Sequence, residues 1–171
     1  MKEFERKFLV KIIPDISGIA PISYERYFTY IGQDGQVRVQ KRGEKFEIES
    51  VFGDYKKKLK ISEKAFEELS KGCERVIKRD TYPLSNNTKL KVYRGEYEGL
   101  FIVDVEFNSK EEFDSFQKPD WFGGEITGTD LEKDGKIILL SPEQIISTIR
   151  ILEQRDIEQG IIPVHYEQGE I

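Results

Sequence analysis

The feature that most constrains this chain is charge that recurs at every second residue, through short segments bounded by turns. The first ten residues, M-K-E-F-E-R-K-F-L-V, set the pattern. Side chains alternate across a strand, so Glu3, Glu5, Lys7 and Leu9 share one face, and Phe4, Arg6, Phe8 and Val10 share the other. Two carboxylates and an ammonium therefore stand side by side. Paired carboxylates repel unless a cation or a proton relieves them, and hard divalent cations prefer such oxygen ligands. A charged edge strand with its polar face in water gives the same alternation, and these ten residues alone leave both readings open.

The alternation continues along the chain. Residues 24–31 and 37–42 flank Gln33-Asp34-Gly35-Gln36, an Asp-Gly hairpin signal, and Arg38, Gln40 and Arg42 fall on one face of the second run. Residues 45–51 set Glu47 and Glu49 opposite Phe46 and Ile48. After the Phe52-Gly53-Asp54 turn, residues 55–61 bring Lys56, Lys58 and Lys60 onto one face. Along residues 75–84, Lys78 and Asp80 share one face and Arg79 falls on the other unless a bulge intervenes. Lys89, Lys91 and Tyr93 share a face of the run that follows. Residues 100–108, L-F-I-V-D-V-E-F-N, repeat the opening motif, with Asp104 and Glu106 two residues apart. Helices are expected from Ser62, capped by its hydroxyl; from the capping box Ser109-x-x-Glu112; and from Ser141-Pro142, with Ile145, Ile149 and Leu152 along its stripe.

Composition limits the function classes. At 171 residues the chain suits one domain; with 35% charged residues beside 37% hydrophobic ones, an internal charged cavity is one place for the charge. A net charge of -5 argues against nucleic acid or an anionic membrane as partner, so any phosphate binding must come from locally gathered cations. Cys73 is the only cysteine, which fits a reducing cytoplasm and reads as a small packing residue. No signal-peptide core or long apolar run is present, so a soluble, cytoplasmic protein is expected. The lone His165 leaves no material for a histidine metal site or a Ser-His-Asp triad.

Three segments carry a family resemblance. Glu3-x-Glu5-x-Lys7 followed by Phe8-Leu9-Val10, the Gly99-Leu100 run ending in Asp104-x-Glu106, and the stretch Pro119 to Gly128 around Trp121 and Glu125 resemble the CYTH domain, or triphosphate tunnel metalloenzyme, family. The likeness covers about residues 1–140. It implies an α+β fold: an eight-stranded antiparallel closed β-barrel, or tunnel, with flanking helices. Residues 1–171 would be a single such domain, with 141–171 a C-terminal helix and tail. It further implies metal-dependent hydrolysis of inorganic triphosphate, a nucleoside triphosphate or thiamine triphosphate. On that resemblance Lys7, Arg38, Lys56, Lys58, Lys78 and Lys91 bind phosphate oxygens. Glu3, Glu5, Asp104 and Glu106 hold Mg2+ or Mn2+, while Lys7, Arg38 and Glu106 act at the reacting phosphate. The expected partner is a small triphosphate-bearing molecule, with no nucleic acid and no membrane; a homodimer stays open.

The chain also departs from the family pattern. Gln40 replaces the second arginine of an R-x-R pair, Glu49 stands where a lysine is usual, and Lys56 and Lys58 stand where glutamates are usual. Asp80 and Gly124 each replace an arginine, and Lys91 also departs from the pattern. The alternative is therefore a catalytically degenerate polyphosphate- or nucleotide-binding protein of the same fold, or a scaffold whose charges only pair with one another. The expected inward set is nearly balanced. Nine cations (Lys7, Arg38, Arg42, Lys56, Lys58, Lys60, Lys78, Lys89, Lys91) face eight acids (Glu3, Glu5, Glu47, Glu49, Asp80, Asp104, Glu106, Glu125).

Overall fold

The computed structural model describes residues 4–158. The alternating segments become nine antiparallel strands: β1 (Phe4–Val10), β2 (Ile22–Ile31), β3 (Gln36–Arg42), β4 (Lys45–Phe52), β5 (Tyr55–Lys60), β6 (Val76–Pro83), β7 (Thr88–Arg94), β8 (Phe101–Phe107) and β9 (Phe122–Glu125). Helix α1 (Glu63–Ser70) follows β5, α2 (Lys110–Ser115) follows β8, and α3 (Asp134–Ile137) and α4 (Pro142–Glu158) complete the described chain. The expected caps form. Ser62 Oγ accepts from Ala65 N at 3.1 Å and Ser109 Oγ from Glu112 N at 3.2 Å. The Glu112 carboxylate reaches back to Asn108 N at 3.0 Å, a reciprocal bond one residue earlier than a standard capping box makes.

The expected closed eight-stranded barrel is not formed. The strands make one open sheet in the order β5-β4-β3-β2-β6-β7-β8-β1-β9, with β5 and β9 at its edges. The edges themselves explain this. β5 is exposed along its whole length and carries Lys56, Lys57, Lys58 and Lys60, while β9 has four residues, two of them Gly123 and Gly124. A lysine-rich strand and a very short one are both poor templates for further pairing.

The sheet has two unlike faces. On one, Phe8, Val10, Leu90, Val103, Val105 and Phe122 form a core with Phe107, Phe116 and Trp121 packed against it. This is where the tryptophan packs, its ring 4.5 Å from that of Phe122. The other face is apolar only at one end. There Leu9, Phe28, Ile77, Tyr93 and Ile102 meet Ile126, Leu131, Ile137, Ile145 and Leu152 from the chain after β9. Residues 126–152 thus close that end of the face, tied to β3 by Gln36 Nε2, which donates to Gly135 O at 2.7 Å. Beyond this apolar rung the face is charged.

Gly35 permits the β2–β3 turn for a different reason from the left-handed backbone that an Asp-Gly pair signals. A Cβ there would sit 2.3 Å from Val51 O and 2.4 Å from the Phe52 ring, so close approach of β4 excludes a side chain. No helix among the described residues is long and apolar enough to cross a membrane. The expected tail after residue 160, with His165, lies outside the described residues.

Candidate active site

The charged face is assembled by register. Across β8 and β1, Glu5 stands opposite Glu106 and Lys7 opposite Asp104; β7 brings Lys89 opposite Asp104 and Lys91 beside it. Lys91 Nζ lies 2.8 Å from Asp104 Oδ2, and Lys7 Nζ lies 3.7 Å from Glu5 and donates to Glu132 O at 2.7 Å. Burial raises the Glu5 pKa, and the Asp104 and Glu106 carboxylates add to the rise against the pull of Lys7 and Lys91. Burial also depresses Lys91, to about 8, with help from Arg79 and Lys7 and against Asp104.

Towards the β5 edge of the same face, β3, β4 and β5 form a second cluster. Glu49 is fully buried, accepts from Arg38 Nε at 2.8 Å and from its Nη2, and has Lys58 Nζ at 3.5 Å and Lys56 Nζ at 3.9 Å. Glu47 takes Gln40 Nε2 at 2.8 Å and Arg42 Nη2 at 2.5 Å. Glu49 and Lys58, expected to have exchanged signs, stand opposite each other, and Glu47 stands opposite Lys60.

Between these clusters lies a third, which the sequence reading missed. Asp134 is buried and accepts from Arg79 Nε at 2.9 Å and Tyr93 OH at 2.7 Å, with Arg26 Nη1 3.1 Å away. Arg79 also donates to Thr81 Oγ1 at 2.5 Å, and its guanidinium lies 4.1 Å from the centre of the Tyr24 ring. Burial alone would raise the Asp134 pKa; Arg79, Arg26 and Lys91 together hold it well below the ordinary carboxylate range. Arg26 was legible in principle, because it alternates with Tyr24 and Phe28 on one face of β2. Asp134 was not, since nothing local shows that the segment after β9 folds back over the sheet.

Three residues expected to face inward do not, and a fourth, Glu3, lies outside the described residues. Lys78 is on the opposite face, 3.9 Å from Glu25, and Asp80 is there too, 3.2 Å from Arg94 Nε. The reason is a one-residue register difference. Ile77 belongs to the buried end of the charged face, so alternation turns Arg79 and Thr81 inward and Lys78 and Asp80 outward. Glu125 is likewise not among the inward acids; it forms a two-bond pair with Arg6, at 2.8 and 2.7 Å.

With those corrections the inward charge is far from balanced. By register, the strands give the charged face Lys7, Arg26, Arg38, Arg42, Lys45, Lys56, Lys58, Lys60, Arg79, Lys89 and Lys91. Among the described residues, these eleven face Glu5, Glu47, Glu49, Asp104 and Glu106, joined from outside the sheet by Asp134. A protein of net charge -5 thus gathers a cation surplus on one face.

For a metal the donor chemistry fits. Glu5, Asp104 and Glu106 are neighbouring carboxylates on paired strands, and Asp104 Oδ1 is buried with no hydrogen-bond partner among the described residues, an oxygen a hard cation would satisfy. Among the described residues, however, no three such groups are gathered closely enough to hold one ion.

No protein-family model matches the chain. It is 30% identical over 139 residues to an inorganic triphosphatase of Acetivibrio thermocellus, covering 74% of this chain and 86% of that protein. The chain belongs to the triphosphate tunnel, or CYTH, family. A second relative of this chain, an inorganic triphosphatase of Nitrosomonas europaea, is 28% identical over 151 residues, covering 83% of this chain and all of that protein. A solved crystal structure of an inorganic triphosphatase superposes with a TM-score of 0.70 at 25% identity, over 82% of this chain and 96% of that one. This member of the tunnel family opens on Glu3-x-Glu5-x-Lys7 and fills its charged face with ion pairs such as Arg38–Glu49 and Lys91–Asp104.

Proposed function

We propose that this protein is a metal-dependent phosphohydrolase that cleaves a triphosphate compound, inorganic triphosphate first among them, on the charged face of its sheet. The observation that carries this reading is that, by strand register among the described residues, eleven cations face five strand carboxylates and Asp134 on this side of the sheet. Burial depresses Lys91, Arg26 and Lys56; Asp104, Asp134 and Glu49 respectively oppose it, and neighbouring cations add a smaller push downward. A face richer in cations than in carboxylates suits a polyanionic ligand. The relatives named as inorganic triphosphatases support the choice of polyanion.

Each group then has a role. Arg38 and Arg79 offer planar forks suited to phosphate oxygens, while Lys7, Lys56, Lys58 and Lys91 supply point charges. Arg79 takes the inward place expected of Lys78. Mg2+ or Mn2+ would have to draw Glu5, Asp104 and Glu106 closer together than they stand here, and once held would supply charge neutralisation and a positioned water for in-line attack. Thr127 Oγ1 accepts from Lys7 N at 2.9 Å and fixes the β1 backbone behind these carboxylates.

A second reading has its own support: Glu49, Glu47, Asp104 and Asp134 each already engage a cation that a phosphate would use, which favours binding without turnover. Phosphate release from tripolyphosphate, with Mg2+ or Mn2+ and with excess EDTA, separates the two. The expected result is metal-dependent release that falls at least about a hundredfold in Glu5→Gln and Asp104→Asn. Binding of tripolyphosphate without release would establish the second reading. Release that persists in EDTA would remove the metal from the mechanism.

A further inference from the structure

We propose that Glu49 is a built-in anion that sets how strongly the Arg38, Lys56 and Lys58 cluster grips a ligand phosphate, and so tunes the affinity of the charged face for a triphosphate. The inference rests on the triphosphate reading above and assigns this part of the face a determinant of its own.

Three cations converge on one carboxylate. Arg38 donates twice to Oε1, Lys56 Nζ stands 3.9 Å from that oxygen, and Lys58 Nζ stands 3.5 Å from Oε2. The carboxylate is buried, and its Oε2 has no hydrogen-bond partner among the described residues. The two lysine side chains, by contrast, are 56% and 45% exposed, so their ammonium groups meet both the carboxylate and anything arriving from solvent. Burial would raise the Glu49 pKa, but Arg38, Arg26 and Lys56 lower it below the ordinary value, so Glu49 is charged at neutral pH.

Glu49 cannot leave when a ligand comes. It sits mid-strand on β4, with Arg38 opposite on β3 and Lys58 opposite on β5. A phosphate reaching Lys56 or Lys58 must share them with a fixed negative charge a few ångströms away. At that separation, with an effective dielectric between those of the protein surface and of water, one opposing unit charge weakens binding on the order of tenfold or more. The same carboxylate keeps the cation cluster ordered when no anion is present, since Arg38, Lys56 and Lys58 would otherwise repel one another. It therefore combines order in the free protein with a weaker grip on the ligand.

The test is titration calorimetry with tripolyphosphate in EDTA, where no metal-dependent turnover competes, at low and moderate salt. Glu49→Gln keeps the volume and an acceptor for Arg38, Glu49→Ser is a second neutral replacement with room for water, and Glu49→Asp keeps the charge. The neutral variants are expected to bind about tenfold tighter than the parent, with a gain that shrinks as salt rises. Glu49→Asp should stay within about twofold of the parent, an outcome that separates charge from packing. Equal or weaker binding by folded neutral variants, while the parent binds, overturns this inference and leaves the triphosphate reading intact. Binding only by the neutral variants upholds the inference and overturns triphosphate as the natural ligand; no binding by any of them overturns both.

Discussion

Replacing Asp134 with asparagine tests the centre of the charged face. The carboxylate is buried and satisfies Arg79 Nε at 2.9 Å, Tyr93 OH at 2.7 Å and Arg26 Nη1 at 3.1 Å. Asparagine keeps the shape and one acceptor but loses the charge, leaving two guanidinium groups with no buried anion between them. Removing one partner of a buried pair costs about 3–5 kcal/mol, because the remaining charge stays desolvated. For a chain of 171 residues that lowers the melting temperature by roughly 10 °C. The pH dependence carries an independent sign. The folded Asp134 pKa lies well below its ordinary 3.8, so the unfolded chain takes up the proton first as pH falls. Its stabilisation is complete above that ordinary value and is lost progressively below it. Thermal melts from pH 7 down to pH 3 should therefore show a large gap between parent and Asp134→Asn at neutral pH that narrows in acid. A neutral-pH loss under about 1 kcal/mol would refute the claim that Asp134 compensates the two arginines, since even a surface pair accounts for that much.

Three further outcomes follow from the same geometry. Lys78→Gln should leave tripolyphosphate affinity within about twofold of the parent while Arg79→Gln weakens it at least about tenfold, measured by calorimetry, because only Arg79 faces the charged side. Tripolyphosphate binding should weaken as pH rises through about 8, where Lys91 loses its proton, and Lys91→Arg should move that limb upward. Folding stability responds with the opposite sign: the unfolded lysine keeps its proton to the ordinary 10.5, so deprotonation of folded Lys91 makes stability rise between about 8 and 10.5. Gly35→Ala should cost about 1–3 kcal/mol in denaturant unfolding, since its Cβ would lie 2.3 Å from Val51 O.

How far the sequence reached depends on whether each property was local. Strand positions and caps were legible because period-two alternation and Ser62 or Ser109 at a helix start act within a few residues. Face assignments held where a strand alternated cleanly, as for Glu5 with Lys7, Arg38 with Arg42, and Asp104 with Glu106. They failed on β6, where the run Lys78-Arg79-Asp80 offers charge at every position and only packing of Ile77 against the segment after β9 decides the register. Closure failed for a related reason. Whether a sheet shuts depends on its two edges meeting, and neither the lysines of β5 nor the shortness of β9 declares its partner locally.

That single register difference changes the functional argument more than the open edge does. With Lys78 and Asp80 inward and Glu125 at the mouth, the face looks self-neutralising, and a scaffold of mutually paired charges explains it. With Arg79 and Arg26 inward and Asp80 and Glu125 outward, cations exceed carboxylates along the strands, and the surplus survives after Asp134 is set against the arginines. Among the described buried and half-buried groups of this face, six cations meet five carboxylates, so the surplus lies mainly in the exposed lysines, Lys56 and Lys58 among them. Cations placed where solvent reaches them favour an anionic ligand arriving from outside, while the buried ion pairs behind them set how much of that attraction is already spent.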